Sequence, residues 1–183
     1  MIPEEWDLSG KRALITADRR GWTPHLAVAL AEAGADVAVA GWRTEHVDQA
    51  AAAVEAQGKR TIRIVGDIAR GEQAQGAVEQ VTEAWGGLDI LVNNVGGYRL
   101  FTDGLSHQVS VADITEEEWH RVIHSNVKTT FLTCKAVLQH MMDRGSGAIN
   151  NLISRNFARR GRAGATAYGA AKAAVDRLTE PMA

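Results

Sequence analysis

Short, nearly continuous apolar runs alternate along this chain with longer runs whose apolar positions recur at helical spacing. The short runs fall at residues 12–16, 36–40, 61–65, 88–92 and 147–153, and their Val, Ile and Leu content reads as buried strand. The longer runs fall at 24–33, 45–57, 71–85, about 115–142, and from about 165 toward the end. Local punctuation agrees with these bounds. Pro24 is tolerated in a first helical turn, and Gly34 and Gly58 stand just past helix ends. Thr115 and Glu118 are spaced as a capping box opening the long fourth helix.

Strand alternating with helix implies a parallel sheet covered on both faces. Right-handed crossovers then give an α/β fold with a doubly wound parallel sheet, one domain over residues 1–183. Ligands in such folds bind outside the carboxyl ends of the strands. That rule directs attention to residues 16–23, 41–43, 67–68, 93–97 and from 154 onward.

Composition narrows the picture. The chain has 183 residues, 45% hydrophobic and 23% charged, as expected of one ordinary globular domain. A net charge of −2 gives no general attraction to nucleic acid or to an anionic membrane. No stretch approaches the roughly 18 apolar residues of a membrane span. The acidic start, Pro3-Glu4-Glu5-Trp6-Asp7, carries no secretory signal pattern. Cys134 is the single cysteine and follows Phe131 and Leu132 in a helical apolar pattern, so it reads as a core residue, with a reactive thiol as the alternative. These features together suggest a cytoplasmic protein.

The chemistry concentrates in Tyr168 and Lys172. At i and i+4 they share a helix face, which sets a phenol beside a permanent positive charge. A nearby cation favours the phenolate over the neutral form, whose ordinary pKa is about 10. The pair is therefore a proton donor and acceptor usable near neutral pH. Ser154 stands fourteen residues before Tyr168, at the end of the fifth strand run. His120 and His124 share the i, i+4 spacing of a zinc pair, but no third ligand is evident, and a polar helix face is the reading taken. Arg155, Arg159, Arg160 and Arg162 form a basic cluster that suits either a phosphate-bearing substrate or plain solvation.

The first strand-turn-helix, Asp67-Ile68, Asn93-Asn94-Val95-Gly96, Asn126, Ser154, and Tyr168 with Lys172 occur in order and at matching stations. Over nearly the whole chain this set resembles the short-chain dehydrogenase/reductase family, in detail most like the 3-oxoacyl-(acyl-carrier-protein) reductase branch. The resemblance implies a Rossmann-like fold, a nicotinamide cofactor, and hydride transfer between a carbonyl and an alcohol. It assigns Tyr168 as general acid in reduction. Lys172 poises the tyrosine and holds the nicotinamide ribose, Ser154 binds the substrate oxygen, and Asn126 holds a relay water from a kink in the long helix. It brings Arg19, Arg20, Gly21 and Trp22 to the cofactor phosphates, Asp67 and Ile68 to the adenine, and Asn94 and Gly96 along the cofactor. Tyr168 and Lys172 also touch it. Relatives pair through their two long helices, implying a homodimer or tetramer.

Three departures from the family pattern qualify this. The family's phosphate loop reads Thr-Gly-x-x-x-Gly-Ile-Gly, whereas this chain has Thr16-Ala17-Asp18-Arg19-Arg20-Gly21-Trp22-Thr23. Ala17 restricts the positive φ that the first glycine allows, and Thr23 adds bulk where helix and sheet approach. The second strand ends in Gly41-Trp42-Arg43, without the acidic residue that binds a ribose 2′-hydroxyl. Arg43 with Arg20 suits a 2′-phosphate instead, so NADP is expected over NAD. Third, family members continue through two more strands and a helical lid, and the sheet is expected to lack those last two strands, leaving the fifth as an open edge. The substrate class is a small carbonyl or alcohol compound, carrier- or CoA-linked in one version. The alternative is a non-catalytic nucleotide-binding or interaction protein, a degenerate or truncated relative.

Overall fold

In the computed structural model, which describes residues 3–17, 21–94, 96, 111–154, 158 and 165–182, strands and helices alternate as the apolar pattern predicts. The strands are β1 (Arg12–Thr16), β2 (Asp36–Gly41), β3 (Thr61–Val65), β4 (Ile90–Asn93) and β5 (Ala148–Asn151). The helices are α1 (Trp22–Glu32), α2 (Thr44–Glu55), α3 (Gly71–Trp85), α4 (Glu116–Ile123), α5 (Thr129–Arg144) and α6 (Thr166–Thr179). All strand pairs are parallel, in the order β3-β2-β1-β4-β5. The order reverses direction between β1 and β4, so a crevice opens there at the strands' carboxyl ends.

Strand periodicity sends alternate side chains to opposite faces. Ala13 and Ile15 of β1, Val37 and Val39 of β2, and Ile90 and Val92 of β4 face α1 and α2, against Ala27, Ala31, Val47 and Val54. Leu14, Ala38, Ala40 and Leu91 face the other way, against Val78 and Val81 of α3 and Cys134, Val137 and Met141 of α5. Each fully buried Val or Leu contributes about 1.5–3 kcal/mol. Cys134 belongs to this core, and burial pushes its thiol up to about 11, against weaker opposing hydrogen bonds with Asn151 and Asn93. It behaves as a small apolar residue.

The long fourth helix is where the structure adds most. It is built as α4, a five-residue π-helical segment His124–Lys128, and α5. The Thr115–Glu118 capping box forms as its spacing predicts. The two edge strands differ from the expectation of doubly buried runs. Only Ile64 of β3 is buried, and Ala148 and Asn150 of β5 are exposed, because each edge strand has a single neighbour. Among the described residues no helix is long and apolar enough to cross a membrane.

Candidate active site

The site is assembled where β1, β4 and β5 end. At β1, Thr16 is buried, and its hydroxyl accepts a hydrogen bond from the Asn94 backbone N–H at 2.8 Å, joining the ends of β1 and β4. The Asn94 side-chain amide donates to the Thr23 hydroxyl at 3.1 Å, joining β4 to the first turn of α1. Ala17 extends the ladder one step past β1, its N–H donating to Ala40 at 2.7 Å.

α1 begins two residues earlier than the sequence pattern suggests. Gly21 caps it at φ 76°, a left-handed conformation that glycine adopts without steric cost, and no side chain among the described residues caps the helix amides. A Cβ on Gly21 would meet nothing within 4 Å among the described residues. Uncapped first-turn amides at a helix N-terminus form an anion site. The residues present therefore fit a dinucleotide pyrophosphate. Trp22, the first residue of α1, is exposed. Arg19 and Arg20 lie outside the described residues.

At the end of β2, the Arg43 guanidinium carbon stacks 4.4 Å from the centroid of the Trp42 ring. The Arg43 Nε is buried without a hydrogen-bond partner among the described residues. Asp67 is exposed and engaged in its own turn, its carboxylate accepting from the Ala69 N–H at 3.1 Å and lying 3.7 Å from Arg70. Ile68 is buried in the core with Ala77, Val78 and Val81 of α3. Gly96 packs against Asn126, and a Cβ there would come within 2.5 Å of the Asn126 Oδ1.

Asn126 sits inside the π-helical segment and is 0% exposed. Its amide donates to the Val122 carbonyl at 2.9 Å and to the Ser125 hydroxyl at 3.2 Å. The wider helical turn sends the Thr129 N–H back five residues to His124, and the Thr130 hydroxyl donates to the Asn126 carbonyl at 2.8 Å. Asn126 Oδ1 has no hydrogen-bond partner among the described residues. A buried acceptor left open at a helix irregularity suits an ordered water or a ligand group.

α6 carries Tyr168 and Lys172, 7% and 5% exposed. The Lys172 Nζ donates to the Leu152 carbonyl at 2.9 Å and stands 5.7 Å from the Tyr168 ring centroid. Leu152 is two residues before the half-buried Ser154, so this bond ties the lysine to the segment that carries the serine. Further anchoring comes from a polar network beneath. Asn93 donates to Asn151 at 2.8 Å, Thr133 donates to Asn93 at 2.7 Å, and Asn151 donates to Thr179 of α6 at 3.0 Å. α6 also packs on α4 and the π-helical segment, which brings Tyr168, Lys172 and Asn126 to one end of the sheet.

His120 and His124 are both exposed, with His120 4.0 Å from Glu116, on an outer helix face. Arg155, Arg159, Arg160 and Arg162 lie outside the described residues. Sequence reasoning missed Thr16, the Leu152 carbonyl and the Thr23–Asn94 contact. A backbone acceptor carries no residue signature, and Thr23 and Asn94 are 71 positions apart.

A family model described as short chain dehydrogenase matches residues 11–183. Gluconate 5-dehydrogenase of Gluconobacter oxydans is 33% identical over 181 residues, which is 99% of this chain and 67% of that protein. The (2S)-[(R)-hydroxy(phenyl)methyl]succinyl-CoA dehydrogenase subunit BbsD of Thauera aromatica is 34% identical over 176 residues, 96% of this chain and 67% of that one. Among solved structures, NAD+-bound xylitol dehydrogenase superposes with a TM-score of 0.82 at 31% identity, covering 94% of this chain and 64% of that one. The chain thus spans about two thirds of the length of these relatives. With its strand order and these matches over nearly all its residues, the chain belongs to the short-chain dehydrogenase/reductase family.

Proposed function

We propose that this protein is an oxidoreductase that moves a hydride between NADP(H) and a carbonyl or alcohol carbon, with Tyr168 as the general acid and base. One observation carries the reading: Tyr168 and Lys172 are buried together on α6, and Lys172 is bonded to Leu152 beside Ser154. A buried phenol next to an ammonium is costly to assemble and serves proton transfer well. The nicotinamide, when bound, supplies the hydride in reduction and takes it up in oxidation. In reduction, Tyr168 gives its hydroxyl proton to the substrate oxygen as negative charge builds there. Ser154 donates a second hydrogen bond to that oxygen. Lys172 stabilises the resulting phenolate and binds the ribose hydroxyls. The open Asn126 Oδ1 supports a role in holding a water that returns the proton.

The substrate proposed is a 3-oxoacyl thioester or a small ketone. Gluconate and a hydroxy(phenyl)methylsuccinyl-CoA, after which the two relatives are named, both carry a secondary alcohol that oxidises to a ketone. Arg43 favours NADP: its Nε lacks a partner among the described residues, and no acidic residue stands in Gly41-Trp42-Arg43. Titration of the chain with each nucleotide tests this. NADPH is expected to bind more tightly than NADH, and Arg43→Gln to weaken NADPH binding about 10- to 100-fold, the value of lost charge-assisted hydrogen bonds, with little effect on NADH. If neither NADPH nor NADH produces a change in tryptophan fluorescence or a thermal shift, the oxidoreductase reading fails; binding of NADH alone overturns the NADP preference.

A second reading, a non-catalytic nucleotide-binding or interaction protein, is favoured by one feature, Ala17 and Thr23 where the family has glycines. Tyr168-dependent reduction of any ketone in a panel rules it out. Assembly as a dimer or tetramer through α4–α5 and α6 is expected, and Phe131 leaves 45% of its surface exposed on α5. Light scattering that reports a monodisperse monomer counts against that assembly.

A further inference from the structure

The two non-glycine residues of the phosphate loop, Ala17 and Thr23, each meet a specific neighbour elsewhere in the fold. Ala17, where the family has its first glycine, has an ordinary negative φ, since no described non-glycine residue has a positive one. Its methyl occupies space above the end of β2. A Cβ built on Gly41 would lie 2.8 Å from the Ala17 Cβ, 3.4 Å from Val47 Cγ2 and 3.5 Å from the Ala17 carbonyl oxygen. Non-bonded carbons pack best at about 3.5–4.0 Å, so side chains at both 17 and 41 do not fit.

Thr23, where the family has its third glycine, is 1% exposed yet polar. Its hydroxyl is not stranded, because Asn94 donates to it at 3.1 Å. The same Asn94 is fixed to Thr16 through its backbone N–H at 2.8 Å. The first turn of α1 is thereby pinned to both strands that flank the crevice. Pro24 has no N–H, so the amides that a phosphate can reach in this turn are few, and their direction depends on how the turn is held.

We propose that the Ala17–Gly41 and Thr23–Asn94 contacts accommodate the two non-glycine residues at the ends of the phosphate loop, and that Gly41 and Thr23 are positioning residues for cofactor binding. This rests on the nucleotide-binding reading above. It also predicts that restoring the family's glycine at 17 relieves strain introduced at 41.

The test compares the wild-type chain with Gly41→Ala, Ala17→Gly/Gly41→Ala, Thr23→Val and Thr23→Ser, each titrated with NADPH and melted. Gly41→Ala is expected to lower Tm by about 4–10 °C, the effect of overpacking in a domain of this size, and to weaken NADPH binding about tenfold. Adding Ala17→Gly restores most of both. A Gly41→Ala chain that fails to fold, alongside a double variant that folds and binds, supports the same conclusion. Thr23→Val keeps shape and loses the hydroxyl, so NADPH binding weakens about threefold to tenfold, the value of one hydrogen bond, while Thr23→Ser stays near wild type. The affinity loss and its rescue by serine separate positioning from mere packing. If Gly41→Ala is no better tolerated with Ala17→Gly than without it, or Thr23→Val binds NADPH like wild type, the proposal is overturned while the oxidoreductase reading stands. If wild type itself binds neither NADPH nor NADH, that reading falls and the positioning role with it.

Discussion

Tyr168→Phe is expected to reduce ketone turnover about 10²- to 10⁴-fold, the contribution of a positioned general acid, while NADPH still binds within about threefold of wild type. The physical reason for the split is that only one atom is removed. Tyr168 is buried on α6 among residues packed on the π-helical segment and α4, and phenylalanine fills the same volume. Lys172 keeps its bond to Leu152 in the variant, so the segment carrying Ser154 is still anchored. What disappears is the proton that the substrate oxygen needs as charge develops on it. Steady-state kcat and a separate nucleotide titration check the two halves. A phenylalanine variant that turns over within tenfold of wild type removes Tyr168 from the role of acid.

Asp89→Ala is expected to cost about 2–4 kcal/mol of stability, read by urea unfolding, and to lower Tm by about 5–15 °C. Asp89 lies at the opposite end of the sheet from the site, just before β4. Its carboxylate accepts from Arg12 Nε at 2.7 Å, Arg12 Nη2 at 2.9 Å and the Arg12 backbone N–H at 2.9 Å. Arg144, from the end of α5, adds a fourth contact at 3.3 Å. The Arg12 guanidinium is only 15% exposed, so deleting the carboxylate leaves a partly buried charge without its partner. Arg12 retains the Trp85 carbonyl at 3.1 Å, which limits the loss.

The same contacts set an acid limit. Hydrogen bonds from the Arg12 side chain, outweighing desolvation, and then the Arg12 backbone N–H and the charges of Arg12 and Arg144 hold Asp89 below the usual carboxylate range. A group whose pKa is depressed on folding stabilises fully above its unfolded value, about 3.9 for aspartate, and loses that contribution as pH falls through the folded value. Wild-type stability should therefore fall below about pH 4, and Asp89→Asn should show a shallower slope there. Equal slopes in both chains remove Asp89 as a cause.

Much of the architecture was legible because its causes are local or periodic. The runs at 12–16, 36–40 and 61–65 alternate with helical patterns, and that alternation with right-handed crossovers leads to a parallel doubly wound sheet. The Thr115–Glu118 cap needs only a turn of backbone to form. Tyr168 and Lys172 were legible as a pair for the same reason, since four residues of helix suffice to align them. The half-exposed edges were only partly legible: Arg63 in β3 and the two asparagines of β5 mark them as less apolar than the inner strands, but their place at the two ends of the order is set by the tertiary structure.

The phosphate loop marks the boundary most clearly. Read along the chain, Ala17 and Thr23 are two lost glycines, and steric rules for single residues count against both. Neither rule includes Gly41 or Asn94, which are 24 and 71 positions away. Only the parallel register of β1 with β2, which pairs Thr16 with Ala40, brings the Ala17 methyl over the Gly41 backbone. Only the β1–β4 pairing delivers the Asn94 amide to Thr23. The sequence by itself determined the element order, the sheet class and the phenol–ammonium pair, because periodicity and near-neighbour sterics act over a few residues. The tertiary structure alone decided which distant side chains share space, because register depends on how all the strands and helices pack at once.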